Sequence, residues 1–141
     1  MMKRIIRNVG LHLVSATLFV PISFAAASEN AVQKGEYLVK HVAMCVQCHT
    51  PRDQQGELDQ TQLLQGAPIP MGSPFAAQTW AFKAPKLTGL PGGYSQEDLI
   101  QLLQTGRTPR GNFPQPPMPP FRMTQEDAAA VAAYLASLPN D

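Results

Sequence analysis

Cys45-Val46-Gln47-Cys48-His49 holds both cysteines of this 141-residue chain, three positions apart, with a histidine directly after the second. Two thiols this close could close a small disulfide, but that use leaves His49 without a role. A zinc site asks for about four protein ligands, and the chain has no second Cys or His cluster to complete one. A thioredoxin-like redox pair belongs between a strand and a helix, a context the flanking sequence lacks. One chemistry uses all three side chains. Thiols at this spacing can add to two vinyl groups on neighbouring rings of a haem, which brings the adjacent imidazole beneath the iron. The stretch therefore predicts one covalently bound haem c, with Cys45 and Cys48 as thioether donors and His49 as an axial ligand of the iron.

Moving outward, three segments have helical character. Residues 31–45 place Val32, Tyr37, Leu38, Val42 and Cys45 loosely on one face, with Asn30 as the expected N-cap. A second helix is expected to start at Ser95-Gln96-Glu97-Asp98, which offers a cap and an acidic first turn, and to stop at Gly106. A third repeats the start signal at Thr124-Gln125-Glu126-Asp127 and runs through Val131, Tyr134, Leu135 and Leu138 to Pro139. Between the first two lies a stretch with Pro51, Pro68, Pro70, Pro74, Pro85 and Pro91. It predicts a short helical turn near residues 60–65 and no lasting strand. Residues 108–120 carry Pro at 109, 114, 116, 117, 119 and 120 and cannot be helical. So much loop would argue against a compact domain. A large flat cofactor answers the objection, because its faces replace the missing core. The expected fold is all-α, about three main helices with long Pro/Gly-rich loops wrapped around one haem.

Iron held by one histidine leaves a sixth position. Met118, in Pro116-Pro117-Met118-Pro119-Pro120-Phe121, is the expected second axial ligand, because flanking prolines leave that loop little entropy to lose on binding. Met71, in a looser loop, and Met123, at a helix start where it should pack, are the rivals. Met44 reads as core filler. His41, eight positions before His49, reads as a surface or helix-packing residue.

The chain resembles a class I cytochrome c, similar to single-haem cytochromes and cytochrome subunits that serve bacterial periplasmic dehydrogenases. Lys34-Gly35-Glu36-Tyr37-Leu38, Cys45-Val46-Gln47-Cys48-His49-Thr50, Met118-Pro119-Pro120-Phe121 and Ala133-Tyr134-Leu135-Ala136-Ser137-Leu138-Pro139 carry the likeness. The resemblance implies that the first and last helices cross closely, with Gly35 against Tyr134. It implies that Pro85, in Ala84-Pro85-Lys86-Leu87, offers its carbonyl to the second nitrogen of the proximal imidazole. It also implies an electron carrier rather than an enzyme, either free or as a subunit of a dehydrogenase complex. Its partners would be redox proteins: a dehydrogenase as donor, an oxidase or another cytochrome as acceptor. A haem-based sensor or gas-binding cytochrome with an open sixth site is the alternative. The long segment from His49 to Pro85, with Pro68-Ile69-Pro70 and Trp80, departs from the family pattern.

The first 27 residues read as a signal peptide. Lys3, Arg4 and Arg7 precede an apolar run that ends in Ala25-Ala26-Ala27, with cleavage expected before Ser28. The run is too short, and too interrupted by His12 and Pro21, to span a bilayer. Residues 28–141 then form the cytochrome c domain, periplasmic and without a membrane span after cleavage. Removing residues 1–27 takes away three of eleven Lys and Arg and none of ten Asp and Glu, leaving a net charge of −2. Nothing in that balance suggests nucleic acid as a partner. Lys83, Lys86, Arg107, Arg110 and Arg122, against Glu97 and Asp98, form a locally basic stretch that could steer an acidic partner.

Overall fold

A computed structural model describes residues 24–140. Most of the expected signal peptide, residues 1–23, lies outside them. Helix α1 spans Phe24–Tyr37, so it begins earlier than the expected cap at Asn30 and passes through Ser28. Alanines at 25–27 are strong helix formers, and the helix does not wait for a capping side chain.

Nor does one helix deliver the cysteines. Tyr37 is followed by a π-helical turn, Leu38–Val42, in which Ala43 N–H bonds the Leu38 carbonyl at 2.7 Å and Cys45 N–H the Val39 carbonyl at 2.9 Å. Met44 then turns the chain with φ of 55°, and a separate short helix α2, Val46–His49, carries the rest of the motif.

Helices α3, Gln96–Thr105, and α4, Gln125–Ser137, lie where their local signals put them. Ser95 accepts from Asp98 N–H while the Asp98 side chain accepts from Ser95 N–H, and Gly106 closes the helix in the left-handed region. Thr124 caps α4 by accepting from Asp127 N–H. The expected turn near residues 60–65 is a 3-10 turn, Gln60–Gln62.

A two-stranded antiparallel sheet was not expected: β1, Ala67–Pro68, pairs with β2, Lys83–Ala84. Ladders of two residues show no alternation for a sequence pattern to reveal. The strands close the neck of loop 69–82. Ile69 N–H bonds the Phe82 carbonyl at 2.9 Å, Trp80 Nε1–H the Met71 carbonyl at 2.9 Å, and Ala81 N–H the Pro116 carbonyl at 2.7 Å. The fold is thus helical, with a minimal sheet at the root of loop 69–82.

Packing centres on α4. Its crossing with α1 is tight at Gly35, where a methyl group would sit 2.0 Å from the Ala130 carbonyl oxygen and 2.7 Å from Tyr134 Cβ. The expected small-against-aromatic contact is therefore present. Lys34 bridges the same junction to Glu126 at 2.7 Å and Asp127 at 2.8 Å. Val39, Leu64, Leu99, Leu103, Val131 and Leu135 fill the core between α1, α3, α4 and the loops. Among the described residues no helix is long and apolar enough to cross a membrane.

Candidate functional site

Helix α2, the sheet, α3, α4 and the proline-rich loop before α4 enclose a largely apolar cavity of about 380 Å³. Cys45, Cys48 and His49 open onto it from the side of α2, and Met118 lines it from the loop. Leu87, Leu99, Leu102, Leu103, Val131 and Leu135 complete most of the wall, with Lys83, Tyr94, Thr108 and Gln115 as its polar members.

His49 is 6% exposed, and its Nδ1 lies 2.7 Å from the Pro85 carbonyl oxygen. A carbonyl can only accept, so Nδ1 carries the hydrogen and Nε2 of the neutral ring keeps its lone pair. Burial lowers the imidazole pKa below its usual value, and the Pro85 carbonyl acts in the opposite direction. The ring is thus fixed in orientation and poised to donate to a Lewis acid.

Gly66, which sequence reasoning passed over, and Thr50, to which it gave no structural role, make this geometry possible. Gly66, at φ +83°, donates its N–H to the His49 carbonyl at 2.8 Å, and a methyl group there would stand 2.8 Å from Lys86 N and 2.9 Å from Ala84 O. Only glycine lets the two backbones approach so closely beside Pro85. Thr50, buried, accepts the Leu64 N–H on its hydroxyl at 3.0 Å, and Leu64 in turn accepts Leu87 N–H at 2.9 Å. A lone glycine before a proline-rich stretch signals a turn, but not what that turn will face.

Cys45 and Cys48 are free thiols. Burial pushes the Cys45 thiol up to about 11, so it is neutral at ordinary pH, while Cys48 is exposed. Met71 lies outside this cavity, on the wall of an adjoining one of about 440 Å³ that shares Cys48, Ile69 and Pro117 with it. Met123 packs at the edge of the core and gives its N–H to the Leu103 carbonyl at 3.0 Å. Met44 corrects its expected role as filler: it is exposed, strained, and on the cavity wall. The motif needs a reversal just before Cys45, and Met44 supplies it at the cost of its own burial. His41 is exposed beside Tyr37, with ring centroids 5.7 Å apart.

Among the described residues no group of three or more His, Cys, Asp and Glu side chains gathers to hold a bare metal ion. What the cavity offers is two thiols, one oriented imidazole and one thioether around an apolar space. That donor set fits a flat, apolar macrocycle carrying a metal. Cys45 and Cys48 could bind its periphery, and His49 and Met118 the metal.

The family model described as Cytochrome c matches residues 32–139. The chain is similar to the fructose dehydrogenase cytochrome subunit of Gluconobacter japonicus, 31% identical over 128 residues, covering 84% of this chain and 24% of that protein. It is also similar to a diheme cytochrome c-type protein of Cereibacter sphaeroides, 30% identical over 112 residues, covering 76% of this chain and 35% of that one. The match thus spans about a quarter to a third of the length of these relatives.

Proposed function

The chain belongs to the cytochrome c family and transfers electrons by haem c, and from that premise we propose that it is an exported carrier with a single haem closed by His49 and Met118. Haem c supplies reversible one-electron chemistry at its iron. The chain's own contribution is to bind, orient and shield. Cys45 and Cys48 fasten the ring, so the carrier keeps its cofactor while moving between partners. Pro85 holds the His49 ring and makes it a stronger donor. Met118, between prolines, offers a soft sulfur that favours the reduced metal, and the leucine-rich wall acts in the same direction by disfavouring added charge. The single Cys-x-x-Cys-His motif in this sequence supports one haem here, although a relative is named as diheme.

The observation that carries this reading is the shared cavity: an imidazole locked by the 2.7 Å bond to Pro85, and the Met118 side chain, line one apolar space. With His49 and Met118 both holding the metal, a substrate would have no route to it, which favours an electron carrier over a sensor. Met118→Ala tests it. The variant should lose the low-spin ferrous spectrum and bind carbon monoxide rapidly, while the parent protein does not. A parent that binds carbon monoxide as fast as the variant would support the gas-binding alternative. An unchanged spectrum would return the ligand role to Met71 or Met123.

The similarity to a dehydrogenase cytochrome subunit supports a dehydrogenase as donor; the acceptor in this reading is an oxidase or another cytochrome. Lys83, Lys86, Arg107, Arg110 and Arg122 outnumber Glu97 and Asp98 along the segment that includes Met118. Encounter with an acidic partner should therefore slow as salt rises. Residues 1–27 act as the export signal in this reading, which puts the carrier in the periplasm.

A further inference from the structure

Loop 69–82 is tied at its neck and charge-free along its length. Ile69 N–H bonds the Phe82 carbonyl at 2.9 Å and Ala81 N–H the Pro116 carbonyl at 2.7 Å. From Gln60 to Phe82 there is no charged residue, although 15% of the sequence is charged and a run this long would ordinarily hold several. Phe82, at the neck, is 84% exposed, Phe75, midway along the loop, 68%, and Met71 59%. Grouped apolar exposure of this kind marks an interaction surface. Phe75 and Phe82 line neither cavity, so the seat of a macrocycle does not account for their exposure.

Three observations say what covers the loop. Its polar side chains are turned on the loop itself. Ser73 Oγ accepts the Phe75 N–H at 3.0 Å and lies 2.9 Å from both the Phe75 carbonyl and Gln78 Oε1, either of which takes its single hydrogen. Trp80 Nε1–H is spent on the Met71 carbonyl at 2.9 Å. A protein interface uses such groups for hydrogen bonds to the partner, whereas a lipid surface offers none in its apolar part and favours groups that are paired beforehand. The exposed apolar area is also small. Phe75, Phe82 and Met71 offer roughly 400 Å², about half of the ~800 Å² that each partner buries in a stable protein complex. Finally, the borders carry opposite charges, Asp59 before Gln60 and Lys83 after Phe82. Neither sign of partner is selected, and the clearance of charge between them is what insertion among lipids requires.

We propose that loop 69–82 is a membrane-surface anchor, with Phe75 and Phe82 entering the headgroup boundary of a phospholipid bilayer without crossing it. This goes beyond the electron-carrier reading and does not rest on it. Ile69 and Ala81 at the neck line the main cavity, so an anchored loop holds that cavity close to the bilayer. Because apolar side chains drive the contact, it needs no anionic lipid and resists salt.

The test is co-flotation of the natively matured protein with phosphatidylcholine vesicles, alone and with phosphatidylglycerol added, at low and high salt. The parent should float with both kinds of vesicle, with partition coefficients that agree to about twofold across lipids and salt. Phe75→Ser and Phe82→Ser should each lower the coefficient about fivefold or more, and the double variant should not float. The absorption spectrum and melting temperature should stay as in the parent, since both side chains are exposed. A parent that stays unbound would overturn the proposal. So would flotation that needs phosphatidylglycerol and vanishes in high salt, which assigns the contact to surface lysines and arginines. Equal flotation of parent and variants, or a parent dimer that Phe82→Ser dissolves, would overturn it as well.

Discussion

Gly66→Ala would place a methyl group 2.8 Å from Lys86 N at a backbone angle of φ +83°, against the segment that carries the Pro85 carbonyl. The left-handed conformation costs an alanine about 1 kcal/mol and the clash adds about 1–3 kcal/mol, so thermal unfolding should show a loss of about 2–4 kcal/mol. The same displacement weakens the acceptor of His49 Nδ1–H, making the imidazole a poorer donor. The midpoint potential of the holoprotein should rise. By contrast Met71→Ala, on the adjoining wall, should leave the axial spectrum unchanged. At this scale the sequence was legible where residues are contiguous: spacing singled out Cys45, Cys48 and His49, and the structure brings all three to one cavity. Pro85 emerged only through resemblance, and Gly66 did not emerge. Its partner at Lys86 is twenty positions away, and no local pattern encodes that approach.

Helix junctions respond to single atoms. Gly35→Ala would force α1 and α4 apart, because its methyl group would lie 2.0 Å from the Ala130 carbonyl oxygen. A loss of about 3 kcal/mol in denaturant unfolding is expected, at the upper end of overpacking costs. Ser95→Ala removes one half of a reciprocal cap and should cost about 1 kcal/mol. The Lys34 bridge has a pH signature. Its ammonium, followed by Thr124, holds the Asp127 carboxyl below the usual carboxylate range. A depressed folded pKa gives stability that is present above the unfolded value and lost as pH falls through the folded one. Lys34→Met should therefore reduce stability at neutral pH and flatten the acid limb of the unfolding profile, as chemical denaturation at stepped pH would show. Helices α3 and α4 were readable because Ser95, Asp98, Gly106 and Thr124 act within one turn of their own backbone. The break after Tyr37 was not, since Leu38, Val42 and Cys45 continue an apolar periodicity through a segment the structure turns aside at Met44.

Across the described residues, the loops are bonded to one another and together line an apolar cavity. Without its occupant the leucine-rich wall would be open to water, so changing Cys45 and Cys48 together to alanine should yield a chain without the added mass of a macrocycle and without a sharp unfolding transition. Mass spectrometry and calorimetry of natively matured material check both statements. That residues 50–93 and 108–120 are mostly loop was readable from their proline content. Their exact stitching through Thr50, Leu64, Leu87 and Ala81 was not, because each bond joins residues far apart in the chain. The α1–α4 crossing sets a further condition. It joins segments about a hundred positions apart, so it cannot close until residues 125–137 are present. A chain emerging amino end first from a ribosome or a translocation pore presents Cys45 and Cys48 long before residues 125–137 arrive to shut the structure over them. On the haem-binding reading, enzymes that stitch a porphyrin to its polypeptide would thus meet an unsealed substrate, which α4 would close afterwards.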